Sequence, residues 1–241
     1  MCRHLAYVGP PVVISSLVFD APRSLRTQAR IPDHQPPGRI NPDGWGVAWY
    51  HDHQAAPQVY RSTTSIWDDG TFADAATCSG AIVAAARLAS PGTTLDTANN
   101  APFVSSRWSF SLNGFGFHDD REATLRAALS PERRAALRGD TDSEVIFGLV
   151  LDRVDGGLDP AGALRDVTAL VDPDDRVCLN LLLSDGATVA ATAWGNSLFV
   201  RPRDDSFLVA SEPLDADPAW ARVPDRSLVD GPHLSRLGGP R

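Results

Sequence analysis

Residues 81–86 read Ala-Ile-Val-Ala-Ala-Ala, an unbroken apolar run that stops at Arg87. A strand without polar alternation has no solvent face, so it must be covered on both sides, and here it delivers one arginine at its end. That segment calls for a layered fold, and the flanking sequence supplies layers in order. Strands are expected at Cys2–Val8, Gly44–Tyr50, about Gln58–Arg61 and Trp108–Asn113. Helices are expected at Asp120–Leu129, Pro131–Leu137, Thr141–Val154 and Pro160–Leu170. In the third of these, Val145, Ile146, Leu149, Val150 and Val154 share one face. Strands return at Arg176–Leu183, Thr188–Trp194, Ser197–Arg201 and Ser206–Ala210. Strands, then helices, then strands point to an α+β fold with two sheets and helices outside them.

The remaining segments carry weaker patterns. Pro10–Phe19 reads as a loop entering a short helix, with Val12, Val13, Leu17 and Val18 as its apolar face. Residues 20–42 form a long irregular stretch, of the kind that often serves function. Phe72–Cys78 reads as a short helix, and the chain beyond Glu212, rich in Pro, Asp and Arg, as surface. Residues 2–241 are expected to make one domain.

Charge and composition exclude several classes. The formal net charge is -8, and all 22 basic residues are arginine. No basic run stands ready to neutralise phosphates, so no nucleic-acid partner is expected. The absence of lysine rules out Schiff-base chemistry. No stretch approaches the roughly 20 apolar residues that cross a bilayer, and no secretory signal precedes the first strand, so a cytoplasmic protein is expected. Cys2, Cys78 and Cys178 are too few and too scattered for a disulfide framework or a zinc site. Cys178 reads as a core thiol, and Cys78 as the end of a helix or a loop. The six histidines show no ligand spacing. No metal or other cofactor is expected, and self-association is left open.

Four features carry candidate chemistry. Cys2 becomes the N-terminal residue once Met1 is removed. Its α-amine, with a pKa of about 7.7–8.0, can then take the proton of its own thiol. Arg87, at a strand end, can fork onto a carboxylate. Asn113-Gly114 offers a side-chain amide and a main-chain N–H to a developing oxyanion. Asp142, within Thr141-Asp142-Ser143-Glu144, can hold an ammonium from the first turn of a helix. Taken singly, each has a plain structural explanation: chance at position 2, a surface arginine, a hairpin turn and a capping box.

Taken together, Met1-Cys2-Arg3-His4, Asp43-Gly44-Trp45-Gly46, Asn113-Gly114 and Thr141-Asp142-Ser143-Glu144 resemble the class II glutamine amidotransferase family of N-terminal-nucleophile hydrolases. The resemblance implies a four-layer α/β/β/α sandwich of two antiparallel sheets. It implies Cys2 as nucleophile, Asn113 and Gly114 as oxyanion hole, Arg87 on the α-carboxylate of a glutamyl group and Asp142 on its α-ammonium. Leu5-Ala6, Ala101-Pro102-Phe103, Ala193-Trp194-Gly195, Val209–Pro213, Asp217-Pro218, Trp220 and Val223–Arg226 are similar to one actinobacterial subgroup. Those are ergothioneine-pathway hydrolases that remove glutamate from γ-glutamyl-hercynylcysteine sulfoxide. The implied partner is therefore a small γ-glutamyl substrate. A glutaminase serving a synthase, a γ-glutamyl peptide hydrolase and a non-catalytic scaffold are the alternatives.

Two departures stand out. Leu112 occupies the place of the family's usual His before Asn-Gly, and Asn99-Asn100-Ala101-Pro102 lacks the His of a common Asn-x-His-Pro segment. Asn99 and Asn100 are given no role. The leaving-group wall is sought among Arg30, His34, Arg39, Trp45 and Phe115–His118, where aromatic rings would suit a trimethylammonium group.

Overall fold

The computed structural model describes residues 2–35, 39–51, 56–72, 76–117, 121–172, 177–231 and 233–236. Strand β1 (Arg3–Val13) leads through one π-type turn (Ser16–Asp20) into α1 (Leu25–Arg30). Then come β2 (Trp45–Tyr50), β3 (Gln58–Ser62), β4 (Cys78–Ala86), β5 (Phe103–Ser105) and β6 (Trp108–Phe115). The middle of the chain is helical: α2 (Arg121–Ala128), α3 (Pro131–Ala136), α4 (Asp142–Asp155) and α5 (Pro160–Val171). Strands β7 (Cys178–Ser184), β8 (Val189–Ala193), β9 (Phe199–Pro202), β10 (Phe207–Ala210), β11 (Ala221–Arg222), β12 (Ser227–Asp230) and β13 (His233–Arg236) complete it.

Two antiparallel sheets result, one in the order β11-β9-β10-β1-β4-β2-β3 and the other β13-β12-β8-β7-β6-β5. The apolar run of β4 explains its place between β1 and β2. Its Val83 packs between the sheets against Ala6, Leu182, Ala191 and Val209. Its Ile82, Ala84 and Ala86 face outward, under Leu17, Val18, Leu25 and Ala29. Burying a side chain such as Val83 or Ile82 contributes about 1.5–3 kcal/mol. Over the second sheet, α4 and α5 lay Val145, Ile146, Leu149, Leu164 and Val167 onto Phe110, Leu112, Leu179 and Leu181. The layers are helix, sheet, sheet, helix, with the first helical layer reduced to α1 and the π-type turn.

Several expectations need correction. Residues 25–30, expected to be irregular, form α1, whose Ser24 Oγ caps Thr27 N at 3.4 Å. Val12 and Val13 belong to β1, not to the following turn. Cys78 opens β4 rather than ending a helix; residues 73–75 lie outside the described residues. Asn113-Gly114 is not a turn, because β6 continues to Phe115 in register with β7. The tail is not all surface: Leu228 and Val229 are buried on β12, which pairs with β8. Asp120 and Arg176, expected to head α2 and β7, lie outside the described residues. No helix among the described residues is long and apolar enough to cross a membrane.

Candidate active site

The β2–β4 ladder runs one step past both strands. Arg87 N donates to Gly44 O at 2.8 Å, and Asp43 N to Arg87 O at 3.1 Å. Gly44 has φ +113°, and an added Cβ would collide with the Asn100 amide and the Ser62 carbonyl, so only glycine fits. That close approach seats Asn100, whose Nδ2 donates to Ser62 O at 2.7 Å. The buried Arg87 guanidinium then donates to Asn100 Oδ1 (3.4 Å), Thr94 O (3.2 Å) and Thr93 Oγ1 (3.0 Å). All three partners are neutral. A guanidinium has five N–H donors, so two remain for an incoming acceptor, and no carboxylate among the described residues forms an ion pair with it.

Asp142 stands in the first turn of α4, capped by Thr141 Oγ1 on Glu144 N at 3.3 Å. The reciprocal half of the capping box is absent. The Glu144 carboxylate instead accepts from Arg138 N and Gly139 N, both at 2.8 Å. Asp142 Oδ2 accepts from Gly116 N at 2.6 Å. Burial pushes the Asp142 carboxyl above its ordinary value, and the N–H donors of Gly116, Ser143 and Phe117 pull it partly back.

The register of β6 decides what Gly114 offers. Gly114 lies opposite Leu179, whose N–H is turned the other way, to Trp194 O on the β8 side at 2.8 Å. In an antiparallel ladder that makes Gly114 and Leu179 a non-hydrogen-bonded pair. The Gly114 N–H therefore faces away from β7, on the side where Gly116 N meets Asp142. A side chain at 114 would collide with the Cys178 carbonyl. Asn113 is fully buried, its Nδ2 3.4 Å from Ser211 Oγ. Its Oδ1 has no hydrogen-bond partner among the described residues.

Cys2, Arg87, Gly114 and Asp142 line one cleft, which is partly open to solvent. Asn113 does not line it. Cys2 is half-buried, its Sγ 4.0 Å from Leu88 O. Ala101, Phe103 and Leu112 add apolar wall. Cys2, Arg87 and Asp142 are the titratable lining residues. His4, close behind on β1, has Nδ1 2.9 Å from Ser111 Oγ; burial, then the Arg3 charge, pushes it down to about 3. It stays neutral at physiological pH. Fully buried Arg3 has Nη1 3.4 Å from Glu212 Oε1, and burial lowers its guanidinium to about 10. Glu212 also accepts from Asp33 N (2.8 Å) and His34 N (3.1 Å).

Asn99 and Asn100 were missed. Both are buried, and the signal available was the glycine pair Gly44 and Gly46 facing their segment. Trp45 is no leaving-group wall: it lies fully buried on the outer face of the first sheet, donating to Asp69 Oδ2 at 3.0 Å. Phe115 is exposed, and His53 and His118 lie outside the described residues. Cys178 is half-buried at the start of β7 and Cys78 is exposed. Among the described residues no group of three His, Cys, Asp or Glu is placed to hold a metal ion.

Comparison with solved structures places this fold among the class II amidotransferases. The glutamine aminotransferase class-II domain protein of Silicibacter pomeroyi has a TM-score of 0.71 at 25% identity, covering 99% of this chain and 100% of that one. Glutamine phosphoribosylpyrophosphate amidotransferase of B. subtilis shares the fold alone, at TM-score 0.69 and 13% identity, over 98% of this chain and 49% of that one. The model of the family "Glutamine amidotransferases class-II" matches residues 24–204. The chain belongs to the class II glutamine amidotransferase family. It is 36% identical, over 95% of each chain, to the protein of Mycolicibacterium smegmatis named gamma-glutamyl-hercynylcysteine sulfoxide hydrolase.

Proposed function

We propose that the protein hydrolyses a γ-glutamyl amide, releasing glutamate, through Cys2 freed by removal of Met1. The observation that carries this is one cleft whose titratable groups are a thiol, a cation and an anion. A glutamyl head is a zwitterion; its α-carboxylate takes the two remaining N–H donors of Arg87 and its α-ammonium meets Asp142. With His4 held neutral and Asp142 committed to the ammonium, the α-amine of Cys2 is the base. It accepts the thiol proton, and the thiolate attacks the γ-carbonyl. The Gly114 N–H stabilises the resulting oxyanion. Asn113 is the second donor, which requires its Nδ2 to turn from Ser211 Oγ toward the cleft. The protonated α-amine of Cys2 then gives its proton to the leaving amine, and water hydrolyses the Cys2 thioester.

We assign hercynylcysteine sulfoxide as the leaving amine, on the strength of full-length relatives named for that substrate. Residues 2–241 are taken as one catalytic domain. Three free cysteines suit a reducing, cytoplasmic setting. Incubation with γ-glutamyl-hercynylcysteine sulfoxide, glutamine and glutathione, reading glutamate against ammonia, tests the assignment. Glutamate from the sulfoxide with none from the other two supports it; equal or faster ammonia release from glutamine assigns a glutaminase instead.

A further inference from the structure

The cation and the anion of the cleft sit on different parts of the chain. Arg87 is held by the strap of Thr93, Thr94 and Asn100; Asp142 is held by α4 and β6. A zwitterion is bound well only if the distance between its two partners is fixed. The group that fixes it is neither of them. Asp140, two residues before Asp142, accepts at Oδ2 from Thr94 Oγ1 (2.7 Å) and Thr94 N (3.2 Å). Its Oδ1 accepts from Asn99 Nδ2 at 2.7 Å, and its own N–H donates to Asn99 Oδ1 at 3.0 Å. Asn99 Nδ2 also donates to Thr94 O at 2.9 Å, the carbonyl that receives Arg87 Nη1.

We propose that Asp140 is a positioning residue that locks the Arg87 strap to the start of α4 and so sets the spacing at which Arg87 and Asp142 receive an α-amino-acid head. This rests on the glutamyl reading of the cleft given above. An exposed carboxylate gains little from one neutral hydrogen bond, but four bonds converging on one residue and closing on two partners define a geometry. The Thr94 hydroxyl, foremost among these donors, holds the carboxyl below its ordinary value, so Asp140 is ionised at neutral pH. Neither its exposure nor the helix periodicity of α4 would mark it.

The test compares Asp140→Ala and Thr94→Val with the unaltered protein, using γ-glutamyl-hercynylcysteine sulfoxide turnover and calorimetric L-glutamate binding. For Asp140→Ala we expect KM and the glutamate dissociation constant to rise together by about tenfold. The value of kcat should stay within about twofold and the thermal midpoint within about 2 °C. For Thr94→Val the two constants should rise by about threefold, and this variant carries the test should Asp140→Ala fail to fold. Unchanged glutamate affinity in the folded variants, or a kcat that falls while affinity holds, overturns the inference. If the protein binds glutamate and Asp140→Ala weakens it, yet no γ-glutamyl compound is turned over, the clamp stands and the proposed reaction falls. If it neither binds glutamate nor turns over substrate, both fall.

Discussion

The main-chain N–H of Gly116 donates to Asp142 Oδ2 at 2.6 Å, tying the end of the strand that carries Gly114 to the helix that carries the carboxylate. Burial raises the Asp142 pKa, so the folded protein holds that proton more tightly than the unfolded chain. The stability this protonation supplies is full below the unfolded value of 3.8 and is lost as pH rises through the higher folded value. At neutral pH the empty site therefore carries a costly carboxylate. Asp142→Asn should cut kcat/KM for the γ-glutamyl substrate by about 100-fold or more, yet match or exceed the unaltered protein in thermal midpoint at pH 7. Its lead should shrink toward pH 4. Scanning calorimetry across that range checks both; an inactive variant that is also less stable at pH 7 contradicts the account.

Arg87 is expected to tolerate no lysine. The guanidinium makes three anchoring hydrogen bonds, and in the proposed complex its two other donors hold the substrate carboxylate, a division an ammonium cannot reproduce. Arg87→Lys should raise KM by about 100-fold, and Asn100→Ala, which removes one anchor, by about tenfold. Steady-state kinetics with glutamate detection decides; equal effects on kcat with KM unchanged would place Arg87 elsewhere in the cycle.

Gly114→Ala should damage the fold before it damages chemistry. Its methyl would meet the Cys178 carbonyl oxygen across β6 and β7. The ladder must separate there, at a cost of about 1–3 kcal/mol. A lower urea midpoint, together with lost turnover, is the expected outcome. Full stability in Gly114→Ala would mean that β6 and β7 are not in the register described.

The Arg3–Glu212 pair should be strongly coupled. Both groups are buried, and Glu212 also holds the main chain at Asp33 and His34. Removing either partner strands a buried charge and costs about 3–5 kcal/mol. Arg3→Met with Glu212→Gln should lose less than the sum of the two single changes. Denaturant unfolding of the three variants measures the coupling, and additive losses would contradict it.

What could be read in advance follows from physics acting at short range. The apolar run ahead of Arg87 admits few environments, so β4 and its terminal arginine were legible. The helical spacing of Val145, Ile146, Leu149 and Val150 revealed α4 in the same way. Asn113-Gly114 read alone is also a turn signal, because the partner that keeps it in a strand, β7, lies far along the chain. The short α1 has Leu25, Gln28 and Ala29 as its buried face, too little to leave a pattern. Leu228 and Val229 are likewise only two apolar residues, and β8 makes them a strand. Asn99, Asn100 and Asp140 act through hydrogen bonds between distant segments, which no periodicity encodes. Among the residues that the resemblance marked, Asn113 is the one whose position behind the cleft a sequence motif cannot convey.

The central claim is that one end group, Cys2, attacks through sulfur and takes the proton on its own amine. Rapid-quench mass spectrometry of the N-terminal peptide after mixing with γ-glutamyl-hercynylcysteine sulfoxide tests it most directly. The account predicts a peptide that begins at Cys2 and transiently carries one glutamyl group on sulfur, which Cys2→Ala lacks. A peptide that retains Met1 in protein that still turns over, or glutamate release undiminished in Cys2→Ala, would contradict it.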